Sequence, residues 1–358
     1  MKKGKSTFNE RRRFLRTFLA LPPGLVLTAV GGCGGGDAEN PGGAHDNAVD
    51  RRIAVVPGVA LHVRDWNPGY GGRTIVLLAG LGANAQCFNS IAAELSQRAR
   101  VLAVTRRGYG RSDKPLPSAG YRYDPVTLAD DLASLLSALQ VSRVILCGHS
   151  IAGNELTAFA GRYPQRVQGL AYLDTTYDYT RPEADPGEPL PQNPALDEPA
   201  PAAADLASLD AFLAYRKRIS RNWFAPLEAD VRDAIEVQPD GSIRDATPAE
   251  VAVAMEAQGH AFTPDYRAVK APALVVSAIP GDIRDLFPWL PRQVDAATLK
   301  DARTVLRIFC VARRADAALL AAALPDSRSL EIDNSTHPDF YIAYQSRVVR
   351  AIESMPWY

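Results

Sequence analysis

Short, almost continuous apolar runs alternate along this chain with longer stretches in which apolar residues recur every three or four positions. Such runs are typical of strands in a sheet covered on both faces, since strands with one exposed face alternate apolar and polar residues. The alternation of strand and helix predicts an α/β fold with a mostly parallel sheet. The predicted strands lie at residues 74–79, 101–104, 143–147, 169–173, 273–278 and 329–332.

Helices and one hairpin are predicted around these strands. Asp124 and Pro125 mark a helix start, because aspartate is a good N-cap and proline suits the first helical position. The leucines that follow lie on one helical face, at 128, 132, 135, 136 and 139. Residues 53–56 and 61–63 flank the turn pair Pro57-Gly58 and predict a β-hairpin. A last long helix is predicted at 298–322.

The stretch between the strands at 169–173 and 273–278 is longer than a simple crossover. It begins with a loop rich in proline and acidic residues, 181–201. Thr247 and Glu250 predict a capping box at the start of the third of its helices. We expect an α-helical insertion, residues 175–267, that leaves the sheet at the carboxyl end of a strand, where the sites of parallel sheets open. Its helices are predicted at 206–223, 227–237 and 249–259.

Small residues surround one serine where the strand at 143–147 meets a helix. The sequence there is Gly148-His149-Ser150-Ile151-Ala152-Gly153. A strand, a tight turn and a helix present such a serine with its Oγ exposed. The N–H of Ile151 lies at the helix N-terminus, where unpaired donors and the helix dipole favour a developing oxyanion. We predict that Ser150 is a nucleophile.

This stretch resembles the nucleophile elbow of the α/β-hydrolase superfamily, G-x-S-x-G, with Ala152 at the last glycine. Residues 107–113, RGYGRSD, resemble the family's R-G-x-G-x-S-D segment. The resemblance implies a mostly parallel eight-stranded sheet with helices on both faces and an inserted α-helical cap. The hydrolase core would comprise residues 51–174 and 268–358, and the cap residues 175–267.

The resemblance also implies the partners of Ser150. His337 follows the last strand in a short polar loop, as the family's histidine does. The family's acid follows the strand at 273–278, which favours Asp282, although the spacing is about one residue longer than usual. Asp174, which ends the preceding strand, is the alternative location known in some subfamilies. Asp178 and Asp285 are the remaining, less favoured candidates for the acid. Leu81, in the glycine-rich loop after the strand at 74–79, would supply the second oxyanion N–H.

The resemblance implies acyl transfer to water, and so a carboxylesterase or lipase-like hydrolase. Cofactor-free haloperoxidases or perhydrolases and carbon–carbon bond hydrolases use the same triad and remain alternatives. A serine at position 150 argues against epoxide hydrolases and haloalkane dehalogenases, which need a carboxylate nucleophile. A non-catalytic binding lipoprotein of this fold is the alternative of a different class.

Composition agrees with a single enzyme domain and excludes other classes. The chain has 358 residues, 40 lysines and arginines, 40 aspartates and glutamates, and 47% hydrophobic residues. This suits one globular domain with an insertion, or at most two domains, and the balanced charge gives no support for nucleic-acid binding. The five histidines and four cysteines form no cluster with zinc-ligand spacing. We expect no metal, no cofactor and a small-molecule ester as the partner, and the oligomeric state stays open.

The first 33 residues predict an export signal with a lipobox. Residues 1–16 are basic, and the mostly apolar residues 17–30 are too few for a mature membrane span. Residues 11–16, RRRFLR, resemble a twin-arginine motif, and Cys33 follows a lipobox-like sequence. We expect lipidation of Cys33, a periplasmic or cell-envelope location with membrane contact only through that anchor, and a flexible tether at 34–50. In this oxidising location Cys87 and Cys310 could form a disulfide, which the sequence leaves open.

Overall fold

The structure, a computed structural model, describes residues 47–181 and 188–358. The export signal, Cys33 and residues 34–46 of the predicted tether lie outside the described residues, and the last two tether residues belong to the first strand. The described strands are β1 (Val49–Val56), β2 (Val59–Trp66), β3 (Thr74–Leu78), β4 (Arg100–Thr105), β5 (Val144–His149), β6 (Val167–Leu173), β7 (Ile235–Val237), β8 (Ile243–Asp245), β9 (Ala273–Ile279) and β10 (Ser327–Asp333).

Eight of these strands form one sheet in the order β1-β2-β4-β3-β5-β6-β9-β10. The first two pairings, β1 with β2 and β2 with β4, are antiparallel, and the remaining pairings are parallel. The predicted hairpin at the start of the fold and the mostly parallel sheet are therefore confirmed. Strand β5 lies near the middle, so the turn after it opens at the centre of the sheet's carboxyl edge.

Helices cover both faces of the sheet. Ile75 and Leu77 of β3 pack with one helical layer, and Val76 and Leu78 pack with the other. This is why β3 is a continuous apolar run. The helices are α1 (Asn89–Leu95), α2 (Pro125–Ala138), α3 (Ala152–Arg162), α4 (Leu209–Arg218), α5 (Ala225–Ala234), α6 (Ala249–His260), α7 (Ile283–Leu286), α8 (Ala296–Ala323), α9 (Phe340–Ala343) and α10 (Gln345–Glu353).

Helix starts show where local signals hold and where tertiary contacts override them. Asp124 caps α2 as predicted, with its side chain accepting from the N–H groups of Val126 and Thr127. The capping box predicted at α6 is wrong. The Thr247 hydroxyl donates instead to the backbone oxygen of Gly108, and the Glu250 carboxylate accepts from Ser118, so both side chains join the insertion to the core.

The insertion between β6 and β9 carries α4, α5 and α6, as expected, and also a two-stranded hairpin that the sequence did not predict. Its strands β7 and β8 pair antiparallel, and Gly241 in the turn has φ 85°, a left-handed value suited to glycine. The residues predicted as the end of the second helix form β7. Phe212, Leu213 and Val231 build a small core inside the insertion.

Cys87, Cys147 and Cys310 are free thiols. The Cys87–Cys310 disulfide left open by the sequence is therefore not formed. Cys147 is fully buried in the core, and Cys310 lies with its Sγ 3.3 Å from the backbone oxygen of Pro280. Within residues 47–181 and 188–358, no helix is long and apolar enough to cross a membrane.

Candidate active site

Ser150 occupies the turn between β5 and α3. Its φ of 56° lies in the left-handed region, which costs a non-glycine residue about 1–2 kcal/mol. The turn is tight, because a Cβ atom would lie 2.4 Å from a neighbouring side chain at Gly148 and 2.1 Å from Thr175 at Gly153. Ala152, at the last motif position, begins the regular helix and needs no glycine. The strained turn places Ser150 at the carboxyl edge of the sheet.

Asp174 directly follows β6, the neighbour of β5 in the sheet, and contacts His337. Its Oδ2 lies 2.5 Å from the His337 Nδ1. Its Oδ1 accepts hydrogen bonds from the Ala278 N–H at 2.9 Å and from the Arg313 Nε at 2.8 Å. Burial raises the pKa of Asp174, but the Arg313 cation and the His337 hydrogen bond outweigh it and hold this pKa well below its ordinary value. The carboxyl group is therefore ionised at neutral pH.

His337 lies in the loop after β10, and two side chains hold that loop in place. Because Nδ1 faces Asp174, Nε2 is the nitrogen left for proton transfer. The Nε2 of His149 lies 2.9 Å from the backbone oxygen of His337, and the two rings are 4.6 Å apart. Burial lowers the pKa of His149 to about 3, so His149 stays neutral and does not compete as a base.

The hydroxyl of Ser150 makes no hydrogen bond to His337 in the described chain, where the imidazole's partner is Asp174. Such bonds are often long in unliganded sites and tighten when substrate binds. The strained serine, the histidine and the ionised carboxylate are nevertheless brought to adjacent loops of one sheet edge. This arrangement can deliver a proton from a serine hydroxyl to an imidazole.

The glycine-rich loop after β3 lies against the Ser150 turn. A Cβ atom at Gly80 would lie 3.2 Å from the Ser150 Cβ. Arg106 fixes this loop by donating to the backbone oxygens of Ala79 and Gly80, the latter at 3.0 Å, and forms a buried ion pair at 2.8 Å with Glu155 of α3. In the described residues, the N–H groups of Leu81 and Ile151 have no backbone acceptor. These two donors are available to a developing oxyanion.

The insertion contacts the loops that form this site, which supports its description as a cap. Asp230 of α5 accepts from the Asn84 N–H of the glycine-rich loop at 2.7 Å. The Asn222 side chain donates to Asp339, just beyond His337, at 2.9 Å. Burial raises the pKa of Asp230 to about 7 and that of Asp339 to about 6. Two links between cap and core therefore contain carboxyl groups that titrate near neutral pH.

The preferred sequence assignment of the acid, Asp282, does not agree with the geometry. The Asp282 side chain caps the short helix α7 and accepts from the Arg284 N–H at 2.9 Å. Asp285 accepts from the backbone N–H of Asp282 and pairs with Arg221 at 3.0 Å. Asp178 accepts from the N–H and hydroxyl of Thr180. Asp174, the alternative, is the carboxylate that contacts the histidine.

Two buried side chains of the site were not singled out from the sequence. Arg313 lies on the inner face of α8 and bonds to Asp174, with Nη2 2.6 Å from the carboxylate. Helical spacing could have indicated it, because Arg313 is in register with the fully buried Val305 and Leu320. Tyr179 lies five residues after Asp174, beside Ser150. No sequence pattern marks Tyr179.

Comparisons with known proteins identify the family and the fold of this chain. A family model for the alpha/beta hydrolase fold matches residues 73–240. The 2-(acetamidomethylene)succinate hydrolase of Mesorhizobium japonicum is 30% identical over 243 residues, which are 65% of this chain and 78% of that protein. A putative carbamate hydrolase of Pantoea ananatis, RutD, is 39% identical over 102 residues, which are 28% of this chain and 36% of that protein.

Solved structures share the fold over most of the chain. The crystal structure of E-2-(acetamidomethylene)succinate hydrolase matches with a TM-score of 0.55 and 22% identity, covering 86% of this chain and 98% of that one. The enol-lactonase of Burkholderia xenovorans matches with a TM-score of 0.54 and 22% identity, covering 85% and 98%. At these identities the likeness supports the fold alone.

Proposed function

The chain belongs to the α/β-hydrolase family, and from this premise we propose that it is a serine hydrolase that cleaves carboxylic esters through an acyl-enzyme. The observation that carries the proposal is the contact of 2.5 Å between the His337 Nδ1 and the Asp174 Oδ2 at the sheet edge where the strained Ser150 turn lies. A serine beside an imidazole that an ionised carboxylate orients is the arrangement that acyl transfer requires.

In the proposed mechanism, the His337 Nε2 takes the proton of the Ser150 hydroxyl as its Oγ attacks the ester carbonyl carbon. The carbonyl oxygen becomes an oxyanion and accepts hydrogen bonds from the N–H groups of Leu81 and Ile151. Losing one such donor typically costs about 3–4 kcal/mol of transition-state stabilisation. His337 then gives its proton to the departing alkoxide, which leaves as the alcohol.

Water completes the cycle. His337 removes a proton from a water molecule, the resulting hydroxide attacks the ester of Ser150, and the acid leaves as Ser150 regains its proton. Asp174 stays ionised throughout, keeps the imidazole in the working tautomer and stabilises the imidazolium. Arg313 and the Ala278 N–H hold the other carboxylate oxygen, so the acid has one orientation.

Hydrolysis of a series of p-nitrophenyl esters, from acetate to a long acyl chain, tests the proposal. We expect turnover by the wild-type protein and a loss of several orders of magnitude in Ser150→Ala and His337→Ala. The same proteins are assayed for peroxide-dependent halide oxidation and for carbon–carbon bond cleavage, which the alternative enzymes would catalyse. Equal inertness of wild type and Ser150→Ala, without labelling by a fluorophosphonate, would favour a non-catalytic binding protein.

We further propose that the protein is exported and anchored through a lipid on Cys33. The proposal rests on the basic run at 1–16, the apolar run at 17–30 and the lipobox-like Gly31-Gly32-Cys33. Metabolic labelling with a palmitate analogue should tag the wild type and not Cys33→Ser. Wild-type protein that takes up no label would contradict lipidation.

A further inference from the structure

The segment from Asp174 to Thr180 contacts the Ser150 turn and is anchored at two residues. The Thr175 hydroxyl donates to the backbone oxygen of Ser150 at 2.8 Å. Further along, the Tyr266 hydroxyl donates to the backbone oxygen of Tyr177 at 2.6 Å, and the rings of these two tyrosines stack at 5.1 Å. These two anchors fix the path of the segment past the nucleophile just before it reaches Tyr179.

Tyr179 follows the second anchor, and its phenol oxygen is buried beside the nucleophile. The hydroxyl groups of Ser150 and Thr176 are its neighbouring side-chain polar groups, and its ring lies 5.3 Å from that of His260 of the cap. The phenol oxygen lies near these two hydroxyl groups and the Thr176 backbone, but it makes no hydrogen bond of normal geometry to them in the part of the chain that the structure describes. Buried hydroxyl groups are nearly always paired in folded proteins, so this phenol, which lies beside the nucleophile, is a donor that a ligand in the site can pair.

The charge state makes the phenol a donor. Burial raises the pKa of Tyr179, and the cation of Arg313 with the hydroxyls of Thr176 and Ser150 offsets this only in part. Tyr179 therefore keeps its proton at neutral pH. A protonated phenol can donate to an oxygen acceptor of the substrate.

Resting on the ester hydrolysis proposed above, we propose that Tyr179 selects the substrate: its phenol donates a hydrogen bond to an oxygen acceptor that the ester carries next to the scissile carbonyl. Such an acceptor is a hydroxyl or carboxylate on the adjacent carbon. A site with a buried donor discriminates strongly against an analogue without the matching acceptor, because the donor is then left unpaired. The substrate class is therefore an oxygen-substituted ester rather than a plain alkyl ester.

The test compares the wild type, Tyr179→Phe and Tyr177→Phe on three esters followed by acid release: ethyl propionate, ethyl lactate and monoethyl malonate. We expect the wild type to show a kcat/KM for an acceptor-bearing ester about 10–100-fold above that for ethyl propionate. Tyr179→Phe should lose this preference, so that the ratio of its kcat/KM values for an acceptor-bearing ester and for ethyl propionate falls to about 1. Tyr177→Phe, altered in the same segment, should keep the wild-type preference.

Thermal unfolding separates recognition from a structural role. Because the Tyr179 oxygen makes no hydrogen bond of normal geometry in the described residues, the phenylalanine variant should unfold at about the same temperature or higher. The inference would be overturned if Tyr179→Phe lost the same factor in kcat/KM on all three esters, or if it kept the wild-type preference for the acceptor-bearing esters, whatever its unfolding temperature.

Fluorophosphonate labelling of Ser150 separates this failure from failure of the parent proposal. If the wild type is labelled and hydrolyses the esters, but its ester preference does not depend on Tyr179, the inference is overturned and the proposed ester hydrolysis stands. Wild type that neither labels nor hydrolyses any of the three esters overturns both.

Discussion

Replacing Asp174 by asparagine keeps the size of the side chain and removes its charge. An amide group that donates toward the His337 Nδ1 favours the tautomer with its proton on Nε2, which cannot accept the Ser150 proton. The equivalent change in a serine-protease triad lowers kcat by about 10⁴-fold. We expect kcat to fall by a factor of the same order here, and labelling of Ser150 by a fluorophosphonate should also become slower.

The same substitution should also destabilise the fold, because Asp174 is half of a buried ion pair. The Arg313 Nε and Nη2 lie 2.8 and 2.6 Å from its carboxylate. Removing one partner of such a pair typically costs about 3–5 kcal/mol. In the variant, Asp316, which lies 3.5 Å from the Arg313 guanidinium, still compensates part of the positive charge of Arg313. We therefore expect the lower end, about 3 kcal/mol, which is about 5 °C in Tm for a domain of this size.

The assay combines kcat/KM on p-nitrophenyl acetate with thermal unfolding for three variants. Asp282→Asn should be nearly silent in both, because asparagine is as good an N-cap as aspartate. The double variant Asp174→Asn with Arg313→Met removes both charges and should recover most of the lost Tm without recovering activity. The reasoning is refuted if Asp282→Asn loses as much activity as Asp174→Asn, or if the double variant regains turnover.

Two further predictions concern the cap and the Ser150 turn. The pKa of Asp230 is raised to about 7 in the folded protein. Its neutral form therefore stabilises the fold fully below about pH 4, and this contribution is lost as pH rises through 7. Denaturant unfolding should therefore show wild type losing stability relative to Asp230→Asn over that range, and parallel pH curves would count against it. Gly153→Ala should cost about 1–3 kcal/mol, because its Cβ would lie 2.1 Å from Thr175. Gly71→Ala, with no atom within 4 Å of the new Cβ, is its control, and equal Tm values for the two variants would contradict the packing argument.

Sequence patterns were sufficient for the sheet and for the Ser150 turn. Strands buried on both faces leave continuous apolar runs, and Gly148 is dictated by contacts with the turn and the helix that follows it, whereas Gly153 is dictated by Thr175 of the segment after β6. Such local signals survive folding because no distant contact competes with them. The hairpin β7–β8 was missed because its strands are only three residues long and leave no measurable alternation.

The choice between Asp174 and Asp282 depended on information that the chain order does not contain. Both residues follow a strand, and both precede His337 in the sequence. The local sequence from Asp282 to Asp285 does contain a capping-box signal, which the structure realises at α7. Carboxylates engaged with a helix N-terminus are not free to orient an imidazole. Recognising that signal would have moved the prediction to Asp174.

Long-range contacts decided the rest of the site. Arg313 and Arg314 are consecutive, yet the first bonds to Asp174 in the interior and the second pairs with Glu331 at the surface. Their positions differ by one step around α8, about 100°, and only the register of the helix on the sheet distinguishes them. Tyr179 lies beyond any regular element, so its place beside Ser150 follows from the path of the loop after β6.

The central claim is that Ser150 forms the acyl-enzyme with His337 and Asp174 as its partners. Intact-protein mass spectrometry after a fluorophosphonate pulse tests it directly, in wild type, Ser150→Ala, Asp174→Asn and Asp282→Asn. The account predicts a single adduct mapped to Ser150 in wild type and Asp282→Asn, no adduct in Ser150→Ala and strongly slowed labelling in Asp174→Asn. An adduct on another residue, or labelling that is slowed by Asp282→Asn and unaffected by Asp174→Asn, would contradict it.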